Sequence, residues 1–128
     1  MAVTPISTDA APSPAGHYAQ AVVAGGTLYI SGQLPLRPDR TGDPRASFDE
    51  QASQAIANML AILAAAGGRP ADLAKVTAYI VGVENWPRFN AVYAELLGDA
   101  RPARTVVPVP ELHHGYVVEI DAIALIAG

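Results

Sequence analysis

The period of the apolar positions changes several times along the chain, and each change marks an element. Between 47 and 66, Phe48, Ala52, Ile56, Met59, Leu60 and Leu63 recur at helical spacing and form one apolar stripe. Ser47 and Glu50 make a Ser-x-x-Glu capping box at its start, and Gly67-Gly68 ends it. The exposed side of this helix carries Ala, Gln, Ser and Asn rather than charges. A second stripe, Phe89, Val92, Tyr93, Leu96 and Leu97, predicts a helix beginning near Trp86-Pro87, where proline is favoured in the first turn, and ending at Gly98. Elsewhere the runs are short and β-branched, as strands are. Residues 18–24 and 27–34 read as strands joined at Gly25-Gly26, a two-residue hairpin signal. Residues 73–81 read as a third strand. Two terminal strands fall within 102–128, joined by the loop 110–115. The first sixteen residues, with three prolines, read as an extended lead-in, and 37–45 as a polar loop.

The resulting order, β-β-α-β-α-β-β, predicts a two-layer α+β domain spanning 1–128, with both helices on one face of the sheet. The other face is then free to meet a partner subunit. Composition sharpens that expectation: 51% of the residues are hydrophobic and only 16% charged. This is apolar for a small monomer, and a homo-oligomer is expected. The net charge is −4, and the eight basic residues are scattered, none before Arg37. Nucleic acid and anionic membrane surfaces both call for clustered Lys and Arg, so neither is expected as a partner. Without cysteine there is no disulfide, thiolate nucleophile or cysteine metal site, which fits a cytoplasmic protein. Residues 1–14 lack the basic and apolar regions of a signal peptide, and no run is long enough to span a membrane.

Two charges stand out within the apolar terminal strands. Arg104 heads the run Arg-Thr-Val-Val-Pro-Val, and Glu119 lies within Val-Val-Glu-Ile-Asp-Ala-Ile. A charge in such a strand is costly unless paired or used. The guanidinium fork of Arg104 matches a carboxylate bidentately, so one reading is an anchor for a small acid. The other is a structural ion pair with Glu119 or Asp121. Alternation puts Val117, Glu119 and Asp121 on one side of their strand and Val118, Ile120 and Ala122 on the other. Glu119 is able to activate a water, although acidic residues at a strand edge are commonly just solvated. The hydroxyls of Tyr18 and Ser31 are able to orient a substrate or water, and equally to serve packing. His113 and His114 are adjacent and point apart in an extended chain, and His17 is remote. With no His-x-x-x-His or His-x-x-Glu-His pattern, no metal site is expected. Nucleophile-elbow, Walker and dinucleotide-binding patterns are also missing.

Several segments together resemble the RidA family, also called YjgF or L-PSP. They are Gly16-His17-Tyr18-Ala19-Gln20-Ala21-Val22, Ile30-Ser31-Gly32-Gln33-Leu34-Pro35, Lys75-Val76-Thr77, Asn90-Ala91-Val92-Tyr93, Pro102-Ala103-Arg104-Thr105-Val106 and Val118-Glu119-Ile120-Asp121-Ala122-Ile123-Ala124, with Asn58 and Ala66-Gly67 in the first helix. The resemblance covers the chain from Tyr18 to Ala124. It implies a chorismate mutase-like fold with a mixed sheet, a homotrimer with clefts between subunits, and cofactor-free hydrolysis of reactive enamines and imines, typified by those derived from 2-aminoacrylate, to 2-keto acids and ammonia. It further implies that Arg104 binds the substrate carboxylate and Glu119 positions or activates water. Tyr18, Ser31 and Asn90 would line the pocket, with backbone contacts near Val106. Such chemistry suits one Arg and one Glu, because the C=N carbon is already electrophilic and needs orientation plus modest acid–base help.

The chain departs from the family pattern at three places. His17 stands where proline is usual, Leu112-His113-His114-Gly115 replaces a Leu-Pro-x-Gly loop, and Val106 stands where several members carry cysteine. The altered loops raise the expectation of a larger or more acidic imine, such as a 2-aminomuconate-like ring-cleavage product. Two other classes of function remain open. One is a non-catalytic trimer that binds a keto acid or acts like a holdase. The other is an endoribonuclease, against which the acidic charge and missing basic cluster argue.

Overall fold

The computed structural model describes residues 2–126. Six strands and two helices appear in the order β1 (Val3–Ile6), β2 (Ala21–Ala24), β3 (Thr27–Gln33), α1 (Phe48–Ala65), β4 (Leu73–Val81), α2 (Trp86–Leu97), β5 (Ala103–Val109) and β6 (Val118–Leu125). The sheet order is β1-β2-β3-β6-β4-β5, and it is mixed: β4 and β5 run parallel, whereas the other neighbours are antiparallel.

The helices form where the stripes predict. The Ser47 hydroxyl accepts a hydrogen bond from the Glu50 amide, supplying one of the orphan donors of the first turn. Gly67, at φ 86, continues the chain in a conformation that side chains resist. Trp86 and Pro87 open α2, and Gly98 closes it. The helices bury Ile56, Met59, Ile62, Leu63 and Phe89 against alternate residues of the strands: Leu28, Val76, Ala78, Ile80, Val118, Ile120 and Ala124. Their neighbours on each strand, including Tyr29, Thr77, Tyr79, Glu119, Asp121 and Ile123, face away from the helices. The architecture is therefore a two-layer α+β sandwich with one sheet face free of helices.

Two expectations at the N-terminus are corrected. The lead-in contains a sixth strand: β1 pairs with β2 from Val3↔Ala24 to Ile6↔Ala21. Pro5 is compatible because β1 is an edge strand, where a missing N–H costs no ladder bond. The strand expected over 18–24 begins only at Ala21. Tyr18 instead sits in a turn in which its amide donates to the Gly16 carbonyl. Gln20 is 3% exposed and its amide spans the lead-in, accepting from the Thr8 N–H and donating to the Thr8, Ala11 and Pro12 carbonyls.

Candidate active site

Between Ile30 and Gln33, β3 slips its register against β6. The extra residue is a bulge, a device that re-aims side chains beside a site. Ser31 and Gly32 lie within it, across from Asp121 on β6 and diagonal to Glu119. The closest approach in this region is at Gly32. A Cβ there would stand 2.9 Å from Glu119 Oε2 and 3.2 Å from its Cδ. Only glycine leaves the carboxylate its position.

Glu119 lines a cleft of about 300 Å³ together with Tyr18, Gly32, Leu34, Leu36 and the loop 12–16. His113, His114 and Arg40 complete its mouth. Buried amides set the walls. Asn58, on α1 and 1% exposed, donates to the Leu34 and Leu36 carbonyls at 3.1 and 2.8 Å. Gln51 of the same helix donates to the Pro44 and Ala46 carbonyls and accepts from the Val117 N–H. Gln20 ties down the loop 8–12. The Ser31 hydroxyl donates to the Ala19 carbonyl at 2.7 Å, which fixes the strand beside Tyr18 and leaves the oxygen free only as an acceptor.

The electrostatics single out Glu119. It is half-buried, and burial pushes its carboxyl above the ordinary glutamate range. The Asp121 carboxylate pushes it further, against an opposing pull from His113. Asp121 is also raised, chiefly by burial, while a hydrogen bond from the Tyr79 hydroxyl at 3.4 Å works the other way. A carboxyl poised above its usual range, at the wall of a cleft, has the character of a general base for water.

Arg104 lies elsewhere. It is opposite Val76 on β4, and Glu119 is opposite Tyr79. Val76 faces the helices and Tyr79 faces away, so Arg104 and Glu119 project from opposite faces of the sheet. The ion pair of Arg104 with Glu119 or Asp121, open from the sequence, does not form. Among the described residues the one ion pair is Arg69–Asp72 at 3.9 Å. The Arg104 guanidinium instead lies 5.0 Å from the Tyr93 ring centre and 5.8 Å from that of Phe89, a cation–π arrangement with α2. It borders a second cleft of about 320 Å³ with Tyr93, Gly98, Ala100 and Pro102. The Tyr93 hydroxyl is buried there without a hydrogen-bond partner among the described residues.

Within one chain, then, the predicted residues divide. Tyr18 and Glu119 line one cleft, and Ser31 lies in the bulge beside it. Arg104 and Val106 sit on β5 at the far edge of the sheet; Val106 is buried, and Asn90 is exposed on α2. Gly32, Gln20 and Asn58 enter the sequence reading only within the family-like segments, with no role at the site, and Gln51 does not enter it. The Gly beside Ser31 carried the one available signal, since a glycine inside a strand marks a bulge or close approach.

The sequence profile of a family described as Endoribonuclease L-PSP matches residues 8–126. A RutC family protein of Pyrococcus horikoshii is 42% identical over 120 residues, covering 93% of this chain and 94% of the relative. A Dermatophagoides farinae protein named 2-iminobutanoate/2-iminopropanoate deaminase is 37% identical over 121 residues, with 94% of each covered. The crystal structure of RidA from the Antarctic bacterium Psychrobacter superposes with a TM-score of 0.90 at 40% identity, covering 96% of this chain and 99% of that one. Matched over nearly its whole length in sequence and in fold, the chain belongs to the RidA/YjgF family, formally described as endoribonuclease L-PSP.

Proposed function

We propose that this protein hydrolyses small reactive 2-enamines and 2-imines, of the 2-iminopropionate class, to 2-keto acids and ammonia, without a cofactor, in a homotrimer. The observation that carries the reading is Glu119, half-buried with a raised carboxyl at the wall of a cleft and given its place by Gly32. The mite relative named an imine deaminase supports the reaction class. The reading requires a carboxylate anchor beside Glu119, and Arg104 of the same chain is on the wrong sheet face. A neighbouring copy is the source that resolves this: its β5 edge, with Arg104 and the Val106 backbone, and its Asn90 would close the cleft that Tyr18 and Glu119 line, beside Ser31.

In that arrangement Arg104 holds the substrate carboxylate in a bidentate pair. Glu119 accepts a proton as water adds to the C=N carbon, giving a carbinolamine. With the imine entering in its protonated form, Glu119 passes that proton to nitrogen; the C–N bond breaks, ammonia leaves, and the carbinol hydroxyl gives its proton to the Glu119 carboxylate as the C=O forms. Tyr18 and Ser31 orient the water or the amine through their hydroxyls. Ribonuclease chemistry finds no comparable footing, since the net charge is −4 and the basic residues are scattered. A non-catalytic metabolite binder would use Arg104 without needing Glu119.

The test generates 2-aminoacrylate in situ and follows loss of the imine with and without the protein. Acceleration by wild type that disappears in both Arg104→Ala and Glu119→Ala is expected. No acceleration, or an Arg104→Ala variant equal to wild type, would end the proposal. A Glu119→Ala variant that keeps full ligand binding and full biological effect would transfer it to the binding module.

A further inference from the structure

The cleft that holds Glu119 has a mouth of unexpected chemistry. Arg40, His113 and His114 all line it. Arg40 and His114 are also the two non-glycine residues with left-handed backbone among those described, at φ 69 and 61. Side chains resist that conformation, and such outliers gather where a side chain is put to use. Both fall on the rim of one cleft.

Arg40 is held there without being neutralised. Its Nη1 donates to the Ser13 carbonyl, in the loop that forms the lip. The neighbouring Asp39 carboxylate is occupied with the Thr41 N–H and hydroxyl, and no carboxylate forms an ion pair with Arg40 among the described residues. The remaining guanidinium donors are therefore open to a ligand. The His113 and His114 rings pack edge to face at 3.8 Å, which limits their freedom. Even as neutral imidazoles, each brings an N–H donor.

We propose that Arg40, with His114 and His113, forms a second anion subsite at the cleft mouth, and that the preferred substrate is a 2-imino dicarboxylate. This rests on the deaminase reading above, in which Arg104 of another copy holds the first carboxylate. The distal carboxylate takes no part in the chemistry. Water still adds to the C=N carbon and ammonia still leaves; the subsite selects chain length and terminal charge. A rim that merely attracted anions in general would favour every imino acid alike, so discrimination between substrates of equal length is the diagnostic quantity.

The imines of glutamate and norvaline provide that comparison, since they differ only in a terminal carboxylate against a methyl. Each is generated by an amino-acid oxidase and its hydrolysis is followed with wild type, Arg40→Gly and His114→Gly. Glycine suits both left-handed positions, so the folds are kept and the side chain alone is read. Wild type is expected to favour the glutamate imine in kcat/KM by about tenfold, the scale of one charge-assisted hydrogen bond at a partly exposed site. Arg40→Gly should bring the ratio close to one, and His114→Gly part of the way. Hydrolysis of the norvaline imine with a wild-type ratio of one or less, or a ratio untouched by Arg40→Gly, overturns the subsite while the deaminase reading stands. If neither imine is hydrolysed faster while the 2-aminoacrylate-derived imine is, the dicarboxylate preference is overturned; if that imine is untouched as well, the deaminase reading fails, and calorimetry with 2-oxoglutarate and 2-oxopentanoate still decides the subsite. Tighter binding of 2-oxoglutarate that Arg40→Gly abolishes supports it, and equal binding overturns it.

Discussion

Replacing Gly32 by alanine adds one methyl group at the point where β3 and Glu119 are closest. The new Cβ would lie 2.9 Å from Oε2, short of ordinary contact by about half an ångström. The atom it meets is the end of a side chain, so the carboxylate gives way rather than the backbone. Gly32 does not use a left-handed φ, and alanine there narrows the unfolded ensemble, worth about 0.4–1 kcal/mol in favour of the fold. The variant should therefore remain within about 1 kcal/mol of wild type, a change in Tm of no more than about 5 °C. Activity should respond far more. A displacement of this order at the group that handles water costs about ten- to a hundredfold in kcat/KM, or about 1.4–2.7 kcal/mol of barrier. The assay is imine loss during in situ generation, beside a thermal melt. A Gly32→Ala, Glu119→Ala double variant should be no worse than Glu119→Ala alone, because both act through one carboxylate. A Gly32→Ala protein with wild-type kcat/KM, or losses that add fully in the double variant, would refute the reasoning.

Other perturbations read other parts of the molecule. Arg104→Lys keeps the charge but loses the fork and its place over Tyr93; KM should rise about ten- to a hundredfold with a smaller change in kcat. Mixing Arg104→Ala chains with Glu119→Ala chains and letting subunits exchange should restore about a quarter of the wild-type sites if each site takes one residue from each copy; no recovery would place both residues in one chain's site. Asn58→Ala leaves the Leu34 and Leu36 carbonyls unpaired, and should lower stability by about 2–3 kcal/mol, seen as an earlier denaturant midpoint. Asp121 has its folded carboxyl raised, so its contribution to stability is complete below the ordinary value of 3.8 and is lost as pH rises through the raised one. Asp121→Asn mimics the protonated form, and its Tm should fall less than that of wild type on going from mildly acidic to neutral buffer.

Much of this arrangement is legible in the residues themselves, because local rules decide it. Ser47, Glu50 and the stripe from Phe48 to Leu63 specify α1 through capping and period. The run 73–81 coincides with β4, and alternation assigns Glu119 and Asp121 to a common side. The strand β1 escapes notice because four residues including a proline satisfy no pattern; only pairing with β2 makes them a strand. Tyr18 to Gln20 read as strand because they lead into the short apolar run that ends at the Gly25-Gly26 hairpin signal. The contacts that overrule this join Gln20 to carbonyls eight to twelve residues away. The site divides for a similar reason. Arg104 and Glu119 belong to strands that are consecutive in sequence, and their spacing in the chain brings them together on paper. In the sheet β4 lies between them, and its register sets one side chain toward the helices and the other away.

The buried polar side chains that shape the Glu119 cleft from within are uncharged amides: Gln20, Gln33, Gln51 and Asn58 are each no more than 5% exposed. Amides neither titrate nor attract counterions in the range where proteins work. Acid, alkali and salt therefore leave the walls where they are, and a response of the cleft to pH or ionic strength reports the groups it presents to its contents rather than the framework that holds them.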